Sequence, residues 1–139
     1  MNEYLFPEIE IGQKESFVYE IDEAKMKLFR ELSGDSNPLH TDLAFAKEKG
    51  YSENVVYGQL TAAALSTLAG MYLPGKRSII HRIETNFIRP VFLSKCPLTV
   101  VGTVKEKDDR FQTITLKFEI YNIDKAKVCN GNMRIGFLN

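Results

Sequence analysis

Gly58 to Leu73 reads GQLTAAALSTLAGMYL, sixteen residues without a single charge, closed by Pro74-Gly75. Sixteen residues make about four helical turns, and a helix at a protein surface shows a polar stripe along that length. This one shows none, so its pattern predicts a helix buried on every side. It is shorter than the roughly 20 residues of a membrane span, which places it in the interior of a soluble fold with a concave apolar wrapper around it.

The rest of the chain supplies that wrapper. Ser16 to Ile21 alternates in the manner of a short strand, and four later runs are rich in β-branched and aromatic residues: Ser78 to Arg89, Pro97 to Glu106, Phe111 to Asn122 and Ala126 to Leu138. In the third of these, Ile114, Leu116, Phe118 and Ile120 alternate with Thr113, Thr115, Lys117 and Glu119. Lys107 to Arg110 and Asn122 to Lys125 read as hairpin turns, which predicts an antiparallel meander and assigns the Asp108-Asp109 pair to a solvated turn. One long helix inside a curved antiparallel sheet is the hot-dog arrangement, an α+β fold. Its edge strand invites pairing, so a homodimer with a continuous double sheet is expected.

The chemistry is expected just before the buried helix. Asp22 reads as an N-cap, Ala24, Leu28, Phe29 and Leu32 fall on one helical face, and Gly34 stands where a helix ends. Then comes Gly34-Asp35-Ser36-Asn37-Pro38-Leu39-His40, with a carboxylate and an imidazole five residues apart on a segment that Asn-Pro and Gly34 make into a rigid loop. Such a pair can orient a water and move protons on and off a substrate. By residue types alone, the same segment is a helix-ending turn with an incidental histidine. Thr41 to Lys49 reads as a second short helix with Leu43, Phe45 and Ala46 inward, stopped at Gly50.

Bulk properties bound the function. The 139 residues, 44% of them apolar, suit one domain spanning 1–139. Eighteen basic residues balance eighteen acidic ones, which removes the footprint of a nucleic-acid or anionic-membrane partner. No run is long enough for membrane insertion, and Met1 to Ile11 carries three glutamates in place of a basic targeting signal, so a cytoplasmic location is expected. Cys96 and Cys129 stand far apart with only His40 and His81 to join them; reduced, inert thiols and no metal site are the expectation.

Leu32 to Ser66, LSGDSNPLHTDLAFAKEKGYSENVVYGQLTAAALS, closely resembles the hydratase signature of the MaoC-like family of hot-dog proteins in residue type and spacing, and Ile88-Arg89-Pro90-Val91-Phe92 resembles the family's segment after the helix. The resemblance implies addition of water to trans-2-enoyl thioesters, giving (R)-3-hydroxyacyl thioesters, and the reverse dehydration. It needs no cofactor, because coenzyme A or the phosphopantetheine of acyl carrier protein arrives with the substrate. It makes Asp35 and His40 the catalytic pair, Gly58 the oxyanion-binding glycine at the helix start, and Ser66 a residue lining the site. Asn37 is better assigned to holding the loop. On local evidence Gly58 is equally a helix-start glycine, and Ser66 equally a helical serine bonded one turn back. Tyr57 departs from the histidine many relatives carry there, which bears on substrate preference. Leu60, Leu65, Met71, Tyr72 and Phe87 are candidates for an acyl pocket and equally for core. Lys47, Lys49, Lys76, Arg77, Arg82 and Arg89 are candidates to meet nucleotide phosphates or an acidic carrier. A hot-dog thioesterase and a non-catalytic acyl-thioester-binding subunit are the alternatives; the first is disfavoured because no carboxylate occurs between Gly58 and Leu73.

Overall fold

The computed structural model describes all residues, 1–139. Its elements run β1 (Lys14–Tyr19), α1 (Glu23–Ser33), α2 (Pro38–Thr41), α3 (Leu43–Glu48), α4 (Gly58–Ala62), α5 (Ala64–Thr67), a π-helical turn (Leu68–Tyr72), β2 (Ser78–Phe87), β3 (Leu98–Asp108), β4 (Thr113–Tyr121) and β5 (Lys127–Phe137). The five strands form one antiparallel sheet in the order β1-β3-β4-β5-β2.

The predicted strands are present, with one correction to their arrangement. β3, β4 and β5 form the meander, but β2 pairs with β5 at the far edge instead of leading into β3. The chain crosses from β2 to β3 through Ile88 to Pro97. Both hairpin turns form as expected. Asp108 accepts the N–H groups of Arg110 and Phe111 at 3.0 and 3.1 Å, so this carboxylate holds a turn.

α4, α5 and the π turn follow one another as a central helix. Ala63, Thr67 and Leu68 all keep right-handed helical angles. Leu60, Ala64, Leu65, Leu68 and Ala69 bury against Val100, Val104, Leu116, Phe118, Met133 and Ile135 of the sheet in one continuous core. Gly102 lets the helix come close: a Cβ there would lie 2.9 Å from both Leu68 methyls. Tyr19 Oη donates to the Leu60 carbonyl at 3.0 Å, and Phe17 stacks on Tyr72 with ring centroids 4.6 Å apart, which assigns Tyr72 to the core.

Burial of this helix on every side does not hold within one chain. Gln59, Ala63, Ser66 and Met71 are exposed along its outer flank, facing the edge strand β2 and not covered by it. The helix lacks charge there even though the flank is open.

The inward face of α1 also differs from the expected one. Met26 is buried and Phe29 half-buried, whereas Ala24 is exposed and Leu28 and Leu32 stand 64% and 84% exposed. Met26 and Phe29 are one turn apart, and Phe29 reaches Tyr57 at 4.8 Å between centroids, so contact with the site end of the core sets the helix rotation. In α3, Ala46 is buried and Phe45 half-buried, but Leu43 is exposed. No helix is long and apolar enough to cross a membrane. Both cysteines are free, and burial pushes each thiol up to about 11, so either is almost entirely un-ionised at neutral pH.

Candidate active site

The segment from Gly34 to His40 is built by short-range hydrogen bonds. α1 ends at Gly34, whose φ of 74° is a conformation that favours glycine, with its N–H bonded to the Arg30 carbonyl. Asp35 Oδ1 then accepts the Asn37 N–H at 2.9 Å, and Asn37 Oδ1 accepts the Leu39 N–H at 2.9 Å. Asn37 is thereby the N-cap of α2, with Pro38 in its first position. His40 consequently sits on a helical turn, where a loop was expected, because the Asn-Pro pair that ends one conformation starts the next.

His40 is fixed by a group that no side-chain motif encodes. Its Nδ1 lies 2.7 Å from the main-chain carbonyl of Val55. A carbonyl only accepts, so Nδ1 carries the hydrogen and Nε2 is the nitrogen left to take or give a proton.

Tyr57, the departure from the common histidine, joins the two proposed catalytic residues. Its ring stacks on His40 with centroids 4.1 Å apart, and its hydroxyl donates to the main-chain carbonyl of Asp35 at 2.6 Å. Burial first, and then the nearby Asp35 carboxylate, push the Tyr57 phenol above its ordinary value, with Arg30 opposing. Tyr57 therefore stays a protonated donor through neutral and mildly alkaline pH. No direct hydrogen bond or ion pair links the Asp35 carboxylate to His40; the tyrosine is the bridge.

His40 faces two cavities. One, of about 200 Å³, is lined by His40, Gly58, Thr61, Phe87, Arg89 and apolar neighbours such as Val56 and Val91. The other, of about 360 Å³, lies on the Tyr57 side and includes Lys27, Arg30, Thr41 and Asn54. At the start of the central helix, neither Gly58 N–H nor Gln59 N–H donates to a protein acceptor, and α4 presents them at the positive end of its dipole. A Cβ at position 58 would meet the Phe87 ring at 3.1 Å, so glycine keeps the wall of the smaller cavity open.

Ser66 is not brought to this place. It is exposed on the outer flank of the helix and lines a separate groove of about 530 Å³ with Ala62, Leu65, Ile83 and Phe87. Phe87 is the residue common to that groove and the His40 cavity. Of the basic candidates, Lys49 pairs with Glu48, Lys76 and Arg77 with Glu3, and Arg82 with Glu84, whereas Arg89 lines the His40 cavity. Sequence reasoning missed Val55, which acts through main chain, and Thr61, whose spacing of three from Gly58 on a helix was a usable signal.

Known proteins share both the sequence and the fold of this chain. A (R)-specific enoyl-CoA hydratase from Aeromonas caviae is 36% identical over 110 residues, covering 78% of this chain and 82% of the relative. A second protein of that name, from Rhodospirillum rubrum, is 32% identical over 107 residues, 75% of this chain and 74% of the relative. The structure superposes on the (R)-hydratase from A. caviae with a TM-score of 0.87 at 32% identity, covering 93% of this chain and 97% of that one. An unliganded R-hydratase from Pseudomonas aeruginosa gives 0.84 at 29% identity, over 96% and 85% of the respective chains. The MaoC like domain model matches residues 7–125, and this chain belongs to that family.

Proposed function

We propose that this protein interconverts trans-2-enoyl and (R)-3-hydroxyacyl thioesters, with coenzyme A or acyl carrier protein as carrier. The observation that carries the reading is His40 held through Nδ1 by Val55, with Nε2 free beside a cavity whose wall includes the unpaired Gly58 N–H. The names of the relatives supply the reaction class.

In hydration, Asp35 and His40 hold one water and accept a proton from it as its oxygen bonds to C3. The C2–C3 π electrons move toward the thioester oxygen, and the Gly58 N–H stabilises the charge gathering there. A proton delivered to C2 collapses the enolate and completes the addition. Dehydration runs the same steps backward, with C2 deprotonated and the C3 hydroxyl leaving as water. The two proton transfers are assigned to the pair jointly. Thioester hydrolysis by a carboxylate on the helix has no candidate, since none occurs between Gly58 and Leu73. The smaller cavity has no carboxylate in its lining, and the glutamates of the larger one, Glu23 and Glu53, lie outside the central helix. Arg89 on the smaller cavity provides positive charge for the phosphates of either carrier, whereas Lys27 and Arg30 on its neighbour are balanced by Glu23 and Glu53.

Purified protein given crotonyl-CoA, longer enoyl-CoAs and the corresponding enoyl acyl-carrier-protein should consume the conjugated enoyl absorbance and yield (R)-3-hydroxyacyl product. No loss of that absorbance with any of these substrates overturns the reading; release of free thiol replaces it with hydrolysis.

The functional unit in this proposal is a homodimer. β2 is a ten-residue strand with one unpaired edge, and its Ile79, Ile83 and Phe87 are exposed beside the uncharged, uncovered flank of the central helix. A second copy laid there covers both, and Ser66 takes part in the site only across that contact. Sedimentation should give twice the mass of one chain, and Ile83→Asp should yield monomer with sharply reduced turnover. A fully active monomer would refute this arrangement.

A further inference from the structure

Thr61 has no exposed surface, and its Oγ1 is the one buried side-chain oxygen or nitrogen in the chain without a hydrogen-bond partner. A buried hydroxyl left unpaired is costly, and native structures rarely tolerate one unless water, an ion or a ligand completes it. The usual escape for a helical threonine is the carbonyl one turn back. Here that acceptor is Tyr57 O, already occupied by the N–H groups of Leu60 and Thr61, both at 3.1 Å. A valine would fill the same volume without the penalty, so packing alone does not explain the oxygen.

Its surroundings suggest what completes it. Thr61 lines the same cavity as His40 and Gly58, and a spacing of three along the helix puts it on the Gly58 face. The other polar groups around that cavity are engaged within the protein or are assigned to the proposed chemistry. His40 Nδ1 is bonded to Val55, His40 Nε2 and the Gly58 N–H face the proposed chemistry, and Arg89 donates to the Lys127 carbonyl at 2.5 Å.

We propose that Thr61 is a further substrate-site residue whose hydroxyl hydrogen-bonds an oxygen atom that enters the cavity during turnover, either the thioester carbonyl or the reacting water. The inference rests on the hydratase reading for its ligand class. It extends the site from a pair of proton carriers and one main-chain donor to include a side-chain hydroxyl one turn along the helix.

Thr61→Val tests it, because the shape is kept and only the hydroxyl is lost. We expect kcat/KM for enoyl-CoA to fall roughly tenfold, the scale of one hydrogen bond to a reacting species, while the melting temperature of the unliganded protein stays equal or rises. Thr61→Ser should recover most of the activity lost in Thr61→Ala, which isolates the hydroxyl even if the valine variant folds poorly. Butyryl-CoA, a saturated thioester, separates the two oxygens. Weakened inhibition by butyryl-CoA in Thr61→Val assigns the bond to the carbonyl; unchanged inhibition with reduced kcat assigns it to the water.

Parent-like turnover and inhibition in Thr61→Val would overturn the proposal while leaving the hydratase reading intact. So would Thr61→Ser and Thr61→Ala proteins whose activities differ only in step with their unliganded melting temperatures, which marks a structural hydroxyl. A parent protein that neither hydrates an enoyl thioester nor is stabilised by butyryl-CoA removes both readings together.

Discussion

His40→Asn is expected to lower enoyl-thioester turnover by roughly 10² to 10⁴, the range for loss of a positioned acid/base group, with little change in folding. Asparagine is the informative replacement because its side-chain amide N–H can stand where histidine Nδ1–H stands and can still donate to the Val55 carbonyl. What disappears is Nε2, the only imidazole nitrogen free for proton transfer. His40→Ala removes both atoms and leaves the Tyr57 ring without its stacking partner at 4.1 Å, so activity and local order would fall together. A folded asparagine variant, checked by thermal melting, that hydrates crotonyl-CoA at the parent rate would show that Nε2 takes no part.

That test uses a bond that residue types do not reveal, and the reason is physical. Signals that act within a few residues are readable: Asp22 caps α1 by accepting from Lys25 N–H, Gly34 ends it in a left-handed conformation, and Asp108 closes its turn. The alternation of Ile114 to Ile120 correctly predicts a strand with one buried face. Properties decided between distant segments are not readable. Val55 fixes the His40 tautomer from fifteen residues away through a carbonyl every residue possesses. β2 joins β5 by antiparallel pairing with a strand roughly fifty residues further along the chain, which its own sequence does not specify. Leu28 and Leu32 satisfy a helical stripe, but contact between Phe29 and Tyr57 rotates α1 so that Met26 goes inward.

The central helix is a different kind of miss. Its lack of charge predicts burial on every side, yet Ala63, Ser66 and Met71 lie open in the single chain. The proposed homodimer would cover that flank and so account for its lack of charge. The same displacement accounts for Ser66: its position along the sequence matches the resemblance, while its direction on the helix points away from His40.

Asp35→Asn is expected to cost at least ~10² in turnover while leaving the loop in place. Asn Oδ1 can keep accepting the Asn37 N–H, and the Tyr57 hydroxyl bonds the main-chain carbonyl of residue 35, which the substitution does not touch. The variant therefore removes charge and proton capacity with almost no change in shape. In this site the carboxylate has no hydrogen bond to His40, whose tautomer Val55 already sets, so a rate loss cannot be assigned to a misoriented imidazole. Asp35 is exposed and lines neither cavity that His40 faces, so the loss reports the carboxylate's charge acting on the water or substrate proton directly or through Tyr57. Tyr57→Phe, which keeps the ring and removes the hydroxyl, separates the two routes. If Asp35 and His40 serve one water, Asp35→Asn combined with His40→Asn should lose little more than the worse single variant, because either loss alone abolishes the shared step. Rate losses that multiply in the double variant would mean two independent roles, and a folded Asp35→Asn protein with parent-like turnover would remove Asp35 from the chemistry.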